Sequence, residues 1–172
     1  EGATAPVWEF MRALSTCPVP VIAAVDGFAV GIGTTLLLHC EFVYSTPSTV
    51  FMVPFINLAA VPEFGSSMLL PMHTGYVKAA EMLLLGDRFD SETALQYKLI
   101  NQICSSENLM ACAMATAAKL AGKSREALVQ SKALMRRDME PLGERIALES
   151  KEVAKRVASP EAKAAISGIL KR

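Results

Sequence analysis

Histidine is scarce in this chain, which has only His39 and His73 among its 172 residues. A metal site built from several histidines is therefore not expected. Four cysteines occur, at Cys17, Cys40, Cys104 and Cys112. They form no CxxC pair, which favours free thiols in a reducing compartment over disulfides or a metal centre. Net charge is also lacking, because 17 basic residues balance 17 acidic ones, so nothing in the charge favours nucleic acid or an anionic membrane as a partner.

Targeting and membrane signals are missing as well. Residues 1–4 carry no basic group, so no secretory signal peptide is predicted there. The run from Val19 to Leu38 has a single charge, Asp26, and is long enough to cross a bilayer. Proline and glycine interrupt it, and Asp26-Gly27 is a turn signal. We therefore expect a buried strand, a turn and a buried helix in this run.

The elements predicted from periodicity divide the chain near Cys104. Residues 1–104 are expected to form a mixed α/β part and residues 105–172 an all-helical part. Helices are predicted over 5–15, 33–40, 66–72, 76–85, 109–121, 125–136, 142–158 and 160–170, with a further helix capped by Asp90 or Ser91. Gly86 is expected to be the C-cap of the helix over 76–85. Strands are predicted over 19–25, 42–45, 50–53 and 99–103, and residues 54–65 are expected to be a loop.

A glycine-rich turn, Val25 to Gly33 (VDGFAVGIG), follows the first predicted strand and leads into a buried helix. A helix N-terminus presents unpaired N–H groups, and glycine lets a ligand approach them, so the turn suits a phosphate or a developing oxyanion. Tight packing is the alternative explanation for these glycines. The spacing does not fit a dinucleotide-binding fingerprint.

Glu63 is the second candidate, because it is the only acidic residue between Glu41 and Glu81 and has apolar neighbours on both sides. Such surroundings disfavour the charged form of a carboxylate, which suits proton transfer near neutral pH. The alternative is a solvated loop carboxylate or a helix-capping partner.

Three ordered blocks resemble signatures of the enoyl-CoA hydratase/isomerase, or crotonase, family: Pro18 to Gly33, Phe51 to Pro71, and Gly86 to Asn101. The resemblance covers nearly the whole chain. It implies the C-terminal part of a spiral of ββα units over residues 1–104 and a helical trimerisation region over residues 105–172. It also implies a further N-terminal segment, absent here, that supplies one oxyanion donor and most coenzyme A contacts; this chain alone is therefore expected to be poorly soluble and almost inactive.

The same resemblance suggests site residues. The backbone N–H of Ile32 corresponds to an oxyanion donor, and Ala29, Gly31, Phe55 and Phe64 correspond to substrate-binding positions. The two glutamates of family hydratases fall on Thr35 and Phe55, which makes hydration doubtful. Glu63 instead matches the single base of a branch resembling Δ3,Δ2-enoyl-CoA isomerases.

The expected activity is therefore a shift of the double bond of a 3-enoyl-CoA to the 2-position, in fatty acid metabolism. A hydratase, another thioester reaction or a non-catalytic acyl-CoA-binding fragment are the alternatives. Acyl-coenzyme A is expected as substrate, with no cofactor and no metal. A homotrimer or hexamer is expected, located in the cytoplasm of a bacterium or in a eukaryotic peroxisome or mitochondrion.

Overall fold

All strands of the described part of the chain precede residue 104. The structure is a computed structural model that describes residues 6–136, 142–160 and 162–164. The strands are β1 (Ile22–Val25), β2 (Phe28–Val30), β3 (Phe42–Ser45), β4 (Val50–Met52), β5 (Arg88–Asp90) and β6 (Gln102–Ile103). The helices are α1 (Pro6–Ser15), α2 (Ile32–Thr35), α3 (Ser66–Thr74), α4 (Tyr76–Leu85), α5 (Ser91–Gln96), α6 (Leu109–Ala121), α7 (Arg125–Met135) and α8 (Leu142–Val157). Two 3-10 turns occupy Leu36–His39 and Ile56–Leu58.

The strands form two three-stranded sheets. One has the order β1-β3-β6 with all neighbours parallel, and the other has the order β2-β4-β5 with β2 and β4 parallel and β4 and β5 antiparallel. Only Asp26 and Gly27 separate β1 from β2, so the chain passes from one sheet to the other in a tight turn. Gly27 has a φ of 80° there, and the Thr46 hydroxyl donates to Asp26 Oδ1 at 2.7 Å.

The main core lies between the sheets and helices α3, α4 and α5. Val53 and Leu70 are fully buried in it, and the Phe51 and Phe89 rings stack across β4 and β5 with centroids 5.5 Å apart. A second cluster joins Tyr44, Cys104, Leu109 and Ala113. In this cluster α6 packs on β3, and burial raises the pKa of the Cys104 thiol to about 11, with Cys112 as a further cause.

A group of buried hydroxyls lies among these apolar side chains. Ser45, Thr46, Thr49 and Ser91 are each at most 1% exposed. The Ser45 hydroxyl donates to Ser91 Oγ at 2.9 Å, and Ser91 Oγ donates to the Thr46 carbonyl at 2.7 Å. The Thr49 hydroxyl donates to the Val25 carbonyl at 3.0 Å. These bonds tie the ends of β1 and β3 to the start of α5.

The residues that cap α4 and α5 are ones that the sequence predicts as helix caps. Gly86 ends α4 in the left-handed region (φ 65°, ψ 28°), as predicted for a C-cap. Asp90 caps α5, and its Oδ1 accepts from the Thr93 N–H at 2.9 Å. Hydrogen bonding to the Thr93 side chain, and then to its backbone N–H, lowers the pKa of Asp90.

Several predicted elements need correction, among them the strand expected over 19–25, which begins only at Ile22. The glycine turn contains a short strand, β2, because its residues pair with β4 far along the chain. The helix expected over 33–40 begins at Ile32 and tightens into the 3-10 turn after Thr35. The strand expected over 99–103 is reduced to β6, because Lys98 has a φ of 62° and the Leu99 N–H donates to Ala94 O at 2.8 Å, which closes α5.

The loop predicted over 54–65 also contains the 3-10 turn Ile56–Leu58, and the helix beginning at Ser66 runs on to Thr74 despite Pro71. Within the described residues, none of the helices is both long and apolar enough to cross a bilayer.

The regular elements described after β6 are all helices, but the compact units divide later, into Glu1–Leu120 and Ala121–Arg172. The predicted boundary at residue 104 therefore marks a change of secondary structure, whereas α6 packs with the strands. In the second unit, Arg156 pairs with Glu126 and donates to Ser124 Oγ at 3.0 Å. Most of the helix predicted over 160–170 lies outside the described residues.

Candidate active site

The start of α2 presents an unused backbone donor. Gly31 precedes the helix with a φ of 57°, and its carbonyl accepts from the N–H groups of Thr34 and Thr35 at 2.9 and 3.0 Å. Within the described residues, the Ile32 N–H has no acceptor. The first N–H groups of a helix lack intrahelical partners and attract negative charge. The Ile32 N–H, predicted as the oxyanion donor, is therefore available to donate to a ligand oxygen.

Thr34 holds this helix start in place. Its hydroxyl donates to the Ala29 carbonyl at 2.5 Å and lies 3.1 Å from the Met52 carbonyl, which also accepts from the Gly31 N–H at 2.9 Å. These bonds connect the ends of β2 and β4 to α2. Since Thr34 is only 3% exposed, water does not compete for them, and the position of the Ile32 N–H is set by the sheet.

The Glu63 carboxylate meets α2 one turn beyond Ile32. Thr35, which is fully buried, donates from Oγ1 to Glu63 Oε1 at 2.5 Å. Glu63 Oε2 is buried and has no hydrogen-bond partner among the described residues. Buried polar atoms are seldom left unpaired in folded proteins. An orphaned oxygen on a carboxylate that is bonded one helical turn from a backbone donor without an acceptor is the arrangement expected of a site that a ligand completes.

The backbone around Glu63 is also tightly held. The Glu63 carbonyl accepts from Ser66 Oγ at 2.6 Å and from the Ser66 N–H at 3.0 Å. Phe64 has a φ of 55°, which is uncommon for a bulky residue and marks local strain. His39 supports that conformation, since its ring stacks on Phe64 at 4.0 Å between centroids and its Nε2 lies 2.9 Å from the Phe64 carbonyl.

The remaining predicted residues lie around this point in different settings. A Cβ built on Gly31 would lie 3.9 Å from Phe55 Cε1, so the Phe55 ring is next to the helix start. Ala29 is buried in the main core, and Phe64 is buried against His39. Their roles in binding an acyl group stay predictions.

Sequence reasoning missed Thr34, His39 and Ser66. It treated Thr35 only as a lost carboxylate. Nothing in their local spacing indicates these roles, because each acts through a residue in another element.

A surface cleft of about 410 Å³ lies elsewhere, between α4 and β5. It is lined by Val50, Lys78, Glu81, Arg88, Phe89, Asp90 and Thr93, and contains none of the predicted site residues. Lys78 is already paired with Glu81 at 2.5 Å. The two basic side chains of the lining are balanced by two acidic ones, so the cleft offers no concentrated charge for a ligand. Among the described residues, no three His, Cys, Asp or Glu side chains are grouped as a metal site would need.

Comparison with known proteins shows the family and the fold of this chain. The family model described as enoyl-CoA hydratase/isomerase matches residues 2–170. A solved structure from Magnetospirillum magneticum AMB-1, provisionally described as an enoyl-CoA hydratase/carnithine racemase, superposes with a TM-score of 0.92 at 45% identity. The match covers 94% of this chain and 64% of that one. The predicted α/β crotonase-type fold, with a helical C-terminal region, is confirmed.

Two curated relatives carry names from different reactions. The mitochondrial enoyl-CoA hydratase of Pongo abelii is 37% identical over 62% of this chain and 37% of its own length. The peroxisomal Delta(3,5)-Delta(2,4)-dienoyl-CoA isomerase of Arabidopsis thaliana is 31% identical over 76% of this chain and 47% of its own length. The chain thus spans less than half the length of either.

Proposed function

Since this chain belongs to the enoyl-CoA hydratase/isomerase family, we propose that the intact protein is an isomerase that moves the double bond of a 3-enoyl-CoA to the 2-position. One observation carries the proposal. Glu63 has one carboxylate oxygen bonded to Thr35 and the other buried without a partner. A carboxylate held in this way suits a base that must accept a proton and return it to the same substrate.

The proposed reaction uses two groups of this chain. Glu63 takes a proton from C2, and the electrons of the broken C–H bond move toward the thioester carbonyl. The Ile32 N–H donates to the resulting oxyanion, as a helix-start donor is suited to do. Glu63 then returns the proton to C4. At that moment the electrons of the C3–C4 double bond form the new C4–H bond. The electrons of the enolate C1–C2 double bond become the C2–C3 double bond, and the oxyanion re-forms the thioester carbonyl.

The partner of Glu63 supports isomerisation over hydration. Adding water across a double bond requires that water be activated and that the adjacent carbon be protonated. In this site the carboxylate is bonded to the threonine hydroxyl of Thr35 and not to a second carboxylate. The name of the Pongo abelii relative still makes hydration the alternative to measure. The names of both relatives are compatible with the predicted organellar location in a eukaryote.

The test compares the intact protein that carries this sequence with its Glu63→Gln variant. The amide keeps the shape of the side chain but does not accept a proton. Conversion of 3-enoyl-CoA to 2-enoyl-CoA is followed by chromatography, and hydration of 2-enoyl-CoA is measured in parallel. We expect Glu63→Gln to lower kcat by about 10²–10⁴-fold.

Glu81→Gln is the matched control, because Glu81 is exposed and paired with Lys78 away from the site. It should leave both rates unchanged. A Glu63→Gln variant as active as the wild type would refute the assigned base. A wild-type hydration rate comparable to isomerisation would refute the branch, and binding of acyl-CoA without either reaction would favour the non-catalytic alternative.

A further inference from the structure

We propose that Thr35 is a positioning residue that holds Glu63 so that Oε2 alone exchanges protons with the substrate. The inference rests on the proposed function and extends it to a specific atom. Its basis is the asymmetry of the carboxylate: Oε1 accepts from Thr35 Oγ1 at 2.5 Å, whereas Oε2 is buried with no partner among the described residues.

Thr35 is suited to this task by its surroundings. Its side chain has no solvent exposure, so water does not replace the hydroxyl as a donor to Glu63. Threonine is branched at Cβ, which restricts its χ1 rotamers in a helix. A hydrogen bond to an ionised carboxylate is stronger than one between neutral groups. The hydroxyl is therefore a fixed donor that occupies one carboxylate oxygen.

The Glu63 backbone adds the second constraint. Ser66 binds the Glu63 carbonyl with both its hydroxyl and its N–H, so the main freedom left to Glu63 is rotation of its side chain. The Thr35 bond removes that rotation. Oε2 is then the carboxylate oxygen that lacks any partner among the described residues, and a buried acceptor left unpaired costs free energy until a ligand satisfies it.

The reaction explains why a fixed oxygen is useful. One oxygen must take a proton from C2 and deliver it to C4, two carbons separated by a single atom. Displacement of a catalytic group by 1 Å can cost about 10²-fold in rate. A carboxylate that rotates freely would offer either oxygen, at varying distances from the two carbons. Thr35 thus acts through Glu63 and does not itself transfer the proton.

The experiment uses two variants of Thr35 in the intact protein. Thr35→Val keeps the branched shape but removes the hydroxyl, and Thr35→Ser keeps the hydroxyl. We expect Thr35→Val to lower kcat for 3-enoyl-CoA isomerisation by about 10²-fold while KM changes little, because binding contacts are not removed. Thr35→Ser should restore most of the lost kcat.

The outcomes separate this inference from the proposed function. An inactive Glu63→Gln together with a fully active Thr35→Val would overturn the positioning role and leave the base in place. An active Glu63→Gln would overturn the base itself. If Thr35→Ser is as impaired as Thr35→Val, the role is steric and the inference is wrong.

A crystal structure of each Thr35 variant gives a readout independent of turnover. The carboxylate of Glu63 should keep its orientation in Thr35→Ser and rotate or occupy two positions in Thr35→Val. An unchanged carboxylate in Thr35→Val would contradict the proposal even if no reaction were detected.

Discussion

Replacing Gly86 with alanine should lower the free energy of unfolding more than the same change at another left-handed glycine. Gly86 has a φ of 65°, and a Cβ built there would lie 3.0 Å from Asn57 Nδ2 and 3.1 Å from Ile56 Cγ2. The positive φ gives alanine a backbone conformational cost, and the short contacts of its Cβ give a steric cost. The two contributions are separable, because the chain offers a glycine that shares only the first.

The expected magnitude follows from these contacts. A left-handed alanine costs about 1–2 kcal/mol, of which about 0.4–1 kcal/mol is offset because alanine restricts the unfolded chain. Overpacking typically adds about 1–3 kcal/mol. Gly86→Ala should therefore cost about 2–4 kcal/mol. Gly65, with a φ of 71°, has its nearest atom, Leu69 Cδ1, at 3.8 Å, so Gly65→Ala should cost only about 1 kcal/mol.

Urea unfolding followed by circular dichroism measures both variants against the wild type. Equal losses in Gly86→Ala and Gly65→Ala would refute the steric part of the reasoning. A double-mutant comparison is the control. Asn57→Ala removes the side chain nearest to the new Cβ, so Gly86→Ala should lower the free energy of unfolding less in that background than in the wild type. Since Asn57 Nδ2 also donates to the Gly86 carbonyl at 3.1 Å and lies in the loop that leads to Glu63, we further expect Gly86→Ala to lower kcat.

Two further predictions concern a helix cap and assembly. Asp90→Ala should cost about 1 kcal/mol at neutral pH through loss of the α5 cap. Because hydrogen bonds to the side chain and then the backbone of Thr93 lower the folded-state pKa of Asp90, this cost is present above the ordinary pKa. It shrinks as the pH falls through the lowered pKa, which urea unfolding at neutral and acid pH would show. On α8, Ile146 and Val153 are 53% and 58% exposed, and with Ala154 and Val157, whose side chains lie outside those described, they are expected to pack against other subunits of a trimer. Light scattering that finds a monomer at micromolar concentration would contradict this assembly.

Local signals predicted much of the fold. The bounds of α1, α4 and β3 agree with the predicted bounds within a residue or two. The cap at Gly86 was identified from residue type, and Asp90 was one of two residues predicted to cap α5. Each depends on neighbours within a few positions. These interactions are visible in a sequence because the partners are close along the chain.

The errors come from partners that are distant along the chain. Strand β2 exists because it pairs with β4 some 20 residues later, and its three residues between glycines carry no strand signal of their own. Thr35 and Glu63 are 28 positions apart. A residue-by-residue comparison could mark Thr35 as unable to act as the glutamate of a hydratase. Only the packing of α2 against the Glu63 loop shows what its hydroxyl does.

The buried hydroxyls of Ser45, Thr46, Thr49 and Ser91 have a consequence for how this sequence can change over evolutionary time. Each is satisfied largely by the others or by nearby carbonyls. Exchanging one for an apolar residue leaves its partner orphaned, at about 1–3 kcal/mol, whereas exchanging both partners of a bond can be nearly neutral. Substitutions here should be epistatic. Among diverging relatives, we expect positions 45 and 91 to change together. Covariation between them would then reveal the contact of Ser45 with Ser91, which the hydropathy pattern of the sequence does not indicate.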